Sequence, residues 1–232
     1  MKAKTMLDAG NLDEAIAVLS SELRDYPGDV QRRAFLFEML SFAGNWDRAE
    51  KQLAALAASD ADSRAVALLY GTAISAERER QALFEQGACP DNAAVAPSSG
   101  ECNELAFRDI SDADVRLGAR LEIIMAGSYF WLPLAHVREL TIEPPRRLRD
   151  LLWIPAAIRM MPSIREGQTV EVLLPALYPF SWKHPDANVR LGRSTVWCAD
   201  GEAEVPFGQK LFVVDEEVIP ILEIRRLRFD SQ

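Results

Sequence analysis

Gly10-Asn11-Leu12-Asp13-Glu14-Ala15-Ile16 returns in altered form as Gly44-Asn45-Trp46-Asp47-Arg48-Ala49-Glu50. The offset of 34 residues is the period of the tetratricopeptide repeat, a pair of antiparallel helices. In the first copy Leu19, Leu23 and Pro27 fall where that repeat places apolar packing and a helix-ending proline. Gly10 and Gly44 read as small residues within the first helix of each pair, with Ala15 and Ala49 permitting close approach from the second. Ala61 stands where the second copy would have its proline. There Ser59-Asp60-Ala61-Asp62-Ser63 supplies a turn and an N-cap candidate instead. A further helix is predicted from about Arg64 to Phe84, with Leu68, Leu69, Thr72, Ile74 and Leu83 facing inward. A stack of roughly five helices results. Such repeats bury their apolar faces only by stacking on neighbours, and their grooves commonly hold peptides or partner helices. The plainer reading is that the helices only brace a second domain.

Downstream the texture changes. Cys89-Pro90-Asp91-Asn92 and Ala96-Pro97-Ser98-Ser99-Gly100 are turn and linker chemistry without periodicity. Beyond Leu105, Leu121 to Met125 and Tyr129 to Leu132 flank Ala126-Gly127-Ser128 as a hairpin, and a helical turn near Leu134 precedes a strand from Arg138 to Ile142. Further strands are predicted over Leu152–Met160, Thr169–Leu174, Thr195–Cys198, Gln209–Val214 and Val218–Ile224, about seven in all. Pro155 inside one of them points to an edge or a bulge. The fold class is therefore α+β: a tetratricopeptide-like α-α superhelix over residues 1–87, a linker over 88–104, and a small β-rich, partly closed barrel-like domain over 105–232.

Composition narrows the function. Apolar residues make up 49% and charged residues 26%, as in ordinary globular proteins. No apolar run is long enough to cross a membrane, and acidic Asp8, Asp13 and Glu14 follow the basic first residues too closely for a secretory leader. Cys89, Cys102 and Cys198 form neither an even framework nor a CxxC pair, which suggests reduced thiols and a cytoplasmic location. The net charge is −9, most of it in the helical half, a poor match for phosphate backbones. Nucleic-acid binding would have to use the second half, for example Arg146, Arg147 and Arg149, which read instead as partners of local carboxylates.

Few residues suggest chemistry. Asp112 and Asp114, one residue apart, resemble a divalent-cation carboxylate pair. No phosphate-cradling glycine loop accompanies them, and pairing with Arg116, Arg120 or the arginines near residue 147, or turn capping, is the simpler account. His136 and His184 sit in neither a nucleophile context nor a zinc spacing. Neither a metal nor a cofactor is expected. Arg149-Asp150 reads as a charged pair fixing a turn before a buried Trp153, and Trp182 as the tryptophan most exposed.

Asp112-Ala113-Asp114-Val115-Arg116-Leu117-Gly118 resembles the ImpE family, also called TagJ or SciE-type proteins. So do Tyr129-Phe130-Trp131-Leu132-Pro133, Leu148-Arg149-Asp150-Leu151-Leu152-Trp153-Ile154-Pro155-Ala156, Leu174-Pro175, Tyr178-Pro179 and Gly208-Gln209-Lys210. Trp46-Asp47-Arg48-Ala49, Gln52-Leu53 and Glu77-Arg78-Glu79-Arg80 extend the likeness into the helical half. The resemblance implies a non-enzymatic accessory protein of bacterial type VI secretion. It further implies binding to a helix of the small contractile-sheath subunit and a link to sheath recycling by a AAA+ unfoldase, without nucleic acid or membrane. Two departures stand out: the family's helical segment before the Asp-Ala-Asp motif is shortened here to a Pro/Ser/Gly linker, and Lys210 replaces an arginine. Candidate partner contacts are Phe35, Phe42 and Trp46 in the helices and Asp112, Asp114, Arg116 and Arg149 where the two halves adjoin. The alternative is a small-ligand-binding or hydrolytic protein using Asp112, Asp114 and His136.

Overall fold

The computed structural model describes residues 2–88, 99–164, 168–201 and 203–230, so Cys89 and most of the expected linker lie outside the described residues. Five helices come first: α1 (Lys2–Asp8), α2 (Leu12–Asp25), α3 (Val30–Phe42), α4 (Trp46–Ala57) and α5 (Ala61–Glu85). Gly10 and Gly44 are not inside helices but in the turns after α1 and α3, with φ of +86° and +66°. The amide of Asn11 donates to Met6 O and that of Asn45 to Leu40 O, each at 2.9 Å, which closes the helix end around a left-handed glycine. The repeat signature thus marks where helices stop.

Packing within the stack follows from α3. Every residue from Leu36 to Phe42 is buried, Glu38 and Ser41 included, so the second half of this helix is enclosed on all sides. Asp60 caps α5, its Oδ1 accepting from the Ser63 amide at 2.8 Å. The inward face of α5 differs from the expected one. Ile74 is buried, but Leu68 and Leu69 are 71% and 49% exposed. Tyr70 takes the inward place instead, its ring 5.8 Å from Phe37 and 5.9 Å from Trp153, and further along Glu77, Arg80 and Gln81 point inward as well.

The second half contains thirteen strands among the described residues, against about seven expected. They are β1 (Gly100–Cys102), β2 (Leu105–Phe107), β3 (Ile110–Asp112), β4 (Arg120–Met125), β5 (Ser128–Pro133), β6 (Val137–Ile142) and β7 (Trp153–Met160). Then come β8 (Thr169–Pro175), β9 (Thr195–Asp200), β10 (Ala203–Gly208), β11 (Leu211–Val214), β12 (Glu217–Pro220) and β13 (Arg226–Phe229), with a one-turn helix α6 (Ala187–Arg190) between β8 and β9. The unexpected strands are mostly three or four residues long, too short for alternation to register. One of them, β1, lies inside the stretch that reads as linker.

Eight strands form one sheet in the order β2-β1-β13-β6-β7-β8-β4-β5; β12-β11-β3 and β10-β9 form two smaller ones. The pairing leaves β2 and β5 as unpaired edges of the large sheet, so it does not close into the barrel-like arrangement the sequence suggested. Pro155 lies in β7, an interior strand. It is tolerated because β6 ends with Ile142 opposite Ala156, so no strand lies alongside the proline on that side.

Alternation divides the sheet between two cores. Ile124, Tyr129, Trp153 and Leu173 pack with the helices, while Leu121, Ile123, Ile154, Val172 and Leu174 face the opposite way with Ile110 and Phe212 of the three-stranded sheet.

Candidate functional site at the domain junction

The β half covers the stack along several of its helices. Arg193 donates to Leu7 O at the end of α1 (2.7 Å), Arg190 pairs with Asp13 of α2 (2.6 Å), and Arg149 pairs with Glu38 of α3 (2.8 Å). Trp182 packs against the turn after α3, where a Cβ on Gly44 would fall within the indole, and its Nε1 donates to Gln81 of α5 at 3.0 Å. Between Phe42, Arg80, Tyr178 and Trp182 a cavity of about 20 Å³ remains, room for roughly one water. The side of the stack that faces the sheet is therefore filled.

At the centre lies a chain of buried charges. Glu122 on β4 projects from the helix-facing side of the sheet. Arg80 from α5 donates to it twice, from Nε at 2.6 Å and Nη2 at 3.0 Å, and the Tyr129 hydroxyl also donates to it. Lys210, just before β11, bridges Glu122 (2.8 Å) and Asp112, and the Tyr178 hydroxyl reaches Asp112 at 3.2 Å. Arg80 also donates to Glu77 and to Leu177 O, each at 2.9 Å. Arg80, Glu122, Lys210 and Asp112 are all under 8% exposed. Alternating signs make such burial tolerable, since each ion has an opposite neighbour and hydrogen-bond partners.

Titration follows from these contacts. Burial pushes Asp112 up to about 6, against the opposing pull of Lys210. Burial also acts to raise Glu122, but Arg80 and Lys210 outweigh it and hold this carboxyl below the usual carboxylate range. Lys210 is raised: burial works against its charge, and Asp112 and Glu122 prevail. The Tyr129 and Tyr178 phenols are pushed up by burial and by the neighbouring carboxylates, so both act as hydroxyl donors.

Asp112 and Asp114 thus serve as structural hydrogen-bond acceptors. Asp112 Oδ1 accepts from the Asp114 amide at 2.9 Å, Asp114 Oδ1 from the Arg116 amide at 3.1 Å, and Arg116 Nη2 pairs with Asp114 at 2.6 Å. Arg116 also lies over the Phe84 ring at 4.9 Å. Neither aspartate is paired with His136, whose backbone carbonyl accepts from Met161. Among the described residues no cluster of three or more His, Cys, Asp or Glu could hold a metal ion.

Four of the seven candidate partner contacts, Phe42, Asp112, Asp114 and Arg149, are buried, and their side chains are engaged within the chain. Phe35 and Trp46 are half-buried, Trp46 lying 6.3 Å from Trp153. Arg116 remains part-exposed. Arg149 pairs across the junction with Glu38 rather than with Asp150, which instead accepts from the Arg146 and Arg147 amides at 2.9 Å. Trp182 is half-buried, and the exposed tryptophan is Trp197, at 42%. Lys210 and Tyr178 enter the sequence reading only as motif residues of the resemblance, and Glu122 only as part of a strand. A lone carboxylate inside Leu121-Glu122-Ile123-Ile124 was the available signal that a cation must meet it indoors.

Arg116 also borders an open cleft of about 530 Å³. It lies between the end of α5, the 179–185 loop and the β9–β10 ribbon, with Phe84, Phe180 and Phe207 in its walls and Lys183 and His184 on its rim.

Residues 104–228 match the family described as ImpE protein, and residues 6–71 a tetratricopeptide repeat family. A curated relative from Pseudomonas aeruginosa, the type VI secretion system accessory component TagJ, is 33% identical over 266 aligned residues, covering 99% of this chain and 92% of the relative. A crystal structure of a protein from Vibrio parahaemolyticus superposes with a TM-score of 0.86 at 22% identity, over 100% of this chain and 98% of that one, and so shares the fold. With both halves matched and the curated relative aligned almost end to end, the chain belongs to the ImpE family.

Proposed function

We propose that the chain is a non-enzymatic accessory protein of a bacterial type VI secretion system. It acts as a cytoplasmic adaptor that binds a helix of the small contractile-sheath subunit and assists sheath assembly or recycling by a AAA+ unfoldase. Kinship with the TagJ relative supports the secretion role. The internal pairing of Asp112 and Asp114 favours an adaptor over a hydrolase, because neither carboxylate is free to move a proton. The docking part rests on one observation, the open cleft at the junction. Phe84, Phe180 and Phe207 supply apolar anchorage there, and Arg116 and Lys183, with Glu85 and Asp200, set a rim of mixed charge that can orient a partner helix.

The test is capture on the purified chain of the two sheath subunits and the unfoldase from the same genome. Retention of the small subunit is expected, weakened about tenfold or more by Phe207→Ser with Lys183→Glu. Failure to retain either sheath subunit would overturn the adaptor reading, and capture unaffected by the paired substitutions would move the contact away from the cleft.

A further inference from the structure

Phe84 lines the junction cleft, and two arginines stand at its ring, buried Arg80 at 6.0 Å and half-buried Arg116 at 4.9 Å from the centroid. Both are placed by the same chain of charges. Arg80 is held by Glu122, Glu122 by Lys210, and Lys210 by Asp112. Asp112 then leads the chain back to the cleft. Its Oδ1 accepts from the Asp114 amide at 2.9 Å, and Asp114 Oδ1 accepts from the Arg116 amide at 3.1 Å and from Arg116 Nε at 2.9 Å. The Asp112 amide donates to Gly118 O at 2.9 Å and so closes the loop that carries Arg116. Two successive aspartates bonding the backbone two residues ahead give this loop a defined shape.

Asp112 also reaches the opposite wall. The Tyr178 hydroxyl meets Asp112 Oδ1 at 3.2 Å and accepts from the Leu211 amide at 3.0 Å, and the next two residues, Pro179 and Phe180, line the cleft. One side chain, 3% exposed, therefore stands at the root of both walls. Any acceptor could take the Asp114 amide; the grip on Lys210 needs the charge. We infer that Asp112, clamped by Lys210, is the positioning residue of the junction cleft: it holds Arg116 against Phe84 and Tyr178 behind Phe180 in the geometry that receives a partner helix. This rests on the cleft reading given above. The groups facing Asp112 are Lys210 before β11, Glu122 of β4, Tyr178 after β8 and Asp114 of its own loop. When its charge is lost, Lys210 keeps only Glu122, and the loop bearing Arg116 loses its anchor to the ion chain. A partner that binds the set geometry favours the charged carboxylate, so by linkage protonation weakens that binding by the same factor.

The side-chain Nε–H signal of Arg116 in nitrogen NMR spectra of the full chain reports the seat of that side chain with no partner present. Burial brings the Asp112 carboxyl up to about 6, so it takes up a proton as the pH falls from about 7.5 to about 5.5, and the Arg116 signal is expected to shift with it. Asp112→Asn keeps an acceptor for the Asp114 amide but has no charge for Lys210; its Arg116 signal is expected to stay at the acid position throughout. Capture of the small sheath subunit from the same genome is expected to weaken about fourfold over that range, the factor for one proton excluded from the bound form. Asp112→Asn is expected to bind about as weakly at both ends, and the comparison cancels any contribution from His184 on the cleft rim. An Arg116 signal that does not move, or that moves equally in Asp112→Asn, overturns the inference, as does capture with the same pH dependence in both chains. A sheath subunit that is never retained strikes the adaptor reading instead, and the wild-type Arg116 titration still decides the positioning role.

Discussion

Replacing Glu122 by Gln removes the anion that two buried cations share, with almost no change of shape. Glu122 accepts two bonds from Arg80, one from Lys210 and one from Tyr129. The amide keeps one acceptor oxygen and presents an NH₂ group to donors, so at least one cation faces a donor. Arg80 retains Glu77 and Leu177 O, and Lys210 retains Asp112, so neither ion is wholly stranded. Breaking a buried pair from one side costs about 3–5 kcal/mol, and the remaining partners place this case near the lower figure. For a chain of this size that corresponds to a melting point lower by roughly 6–12 °C. Urea unfolding followed by tryptophan fluorescence is a suitable assay, because Trp131 and Trp182 are hydrogen-bonded to Tyr129 and Gln81 beside the network. Pairing Glu122→Gln with Lys210→Met should recover part of the loss, a coupling of about 1–3 kcal/mol. A loss below about 1 kcal/mol for the single variant, or strict additivity in the pair, would refute the claim that alternating charge makes this burial tolerable.

Asp112 should bend the pH profile against the usual direction for a carboxylate. Its folded value, about 6, exceeds its ordinary value of 3.8, so the native state holds the proton more tightly and this group's contribution falls as pH rises between them. Relative to wild type, Asp112→Asn should therefore gain about 2 kcal/mol in urea-derived stability on going from roughly pH 4.5 to 7; an unchanged difference would show that the carboxyl is not raised. The Arg149–Glu38 pair should respond asymmetrically. Burial raises the Glu38 carboxyl despite Arg149, so once orphaned it can take up a proton, whereas an orphaned Arg149 cannot lose one. Glu38→Leu should cost about 3–5 kcal/mol and Arg149→Met about half that, shrinking further in acid; equal costs by urea titration would count against this account.

Reading the helices from sequence worked where a residue type reports backbone geometry. Glycine, asparagine and alanine at the 34-residue offset exposed the repeat, even though the glycines close helices rather than line them. It failed on α5, where apolar residues are frequent on several faces. The deciding factors were Tyr70, held by Phe37 and Trp153, and Arg80, held by a glutamate from β4; no local pattern encodes either contact. The β4–β5 hairpin was legible because its strands are six residues long and joined by Ala126-Gly127. Strand order was not, since β13 joins β1 to β6 from far along the chain. Of the candidate contacts, Asp112, Asp114 and Arg149 lie buried at the domain junction. Their chemistry points inward, which charge density alone cannot reveal.

The place of β13 has a consequence for synthesis. Its Phe229 is fully enclosed between β1 and β6, so the large sheet lacks this interior strand until residues 226–229 have left the ribosome. Helices α1 to α5 need only near neighbours and can assemble while translation, at about 5–20 residues per second, continues for several seconds more. During that interval Arg80 waits without Glu122 in a finished sheet. A nascent chain halted just short of residue 226 should accordingly present a formed helical stack with an uncovered flank, the species on which a chaperone would act.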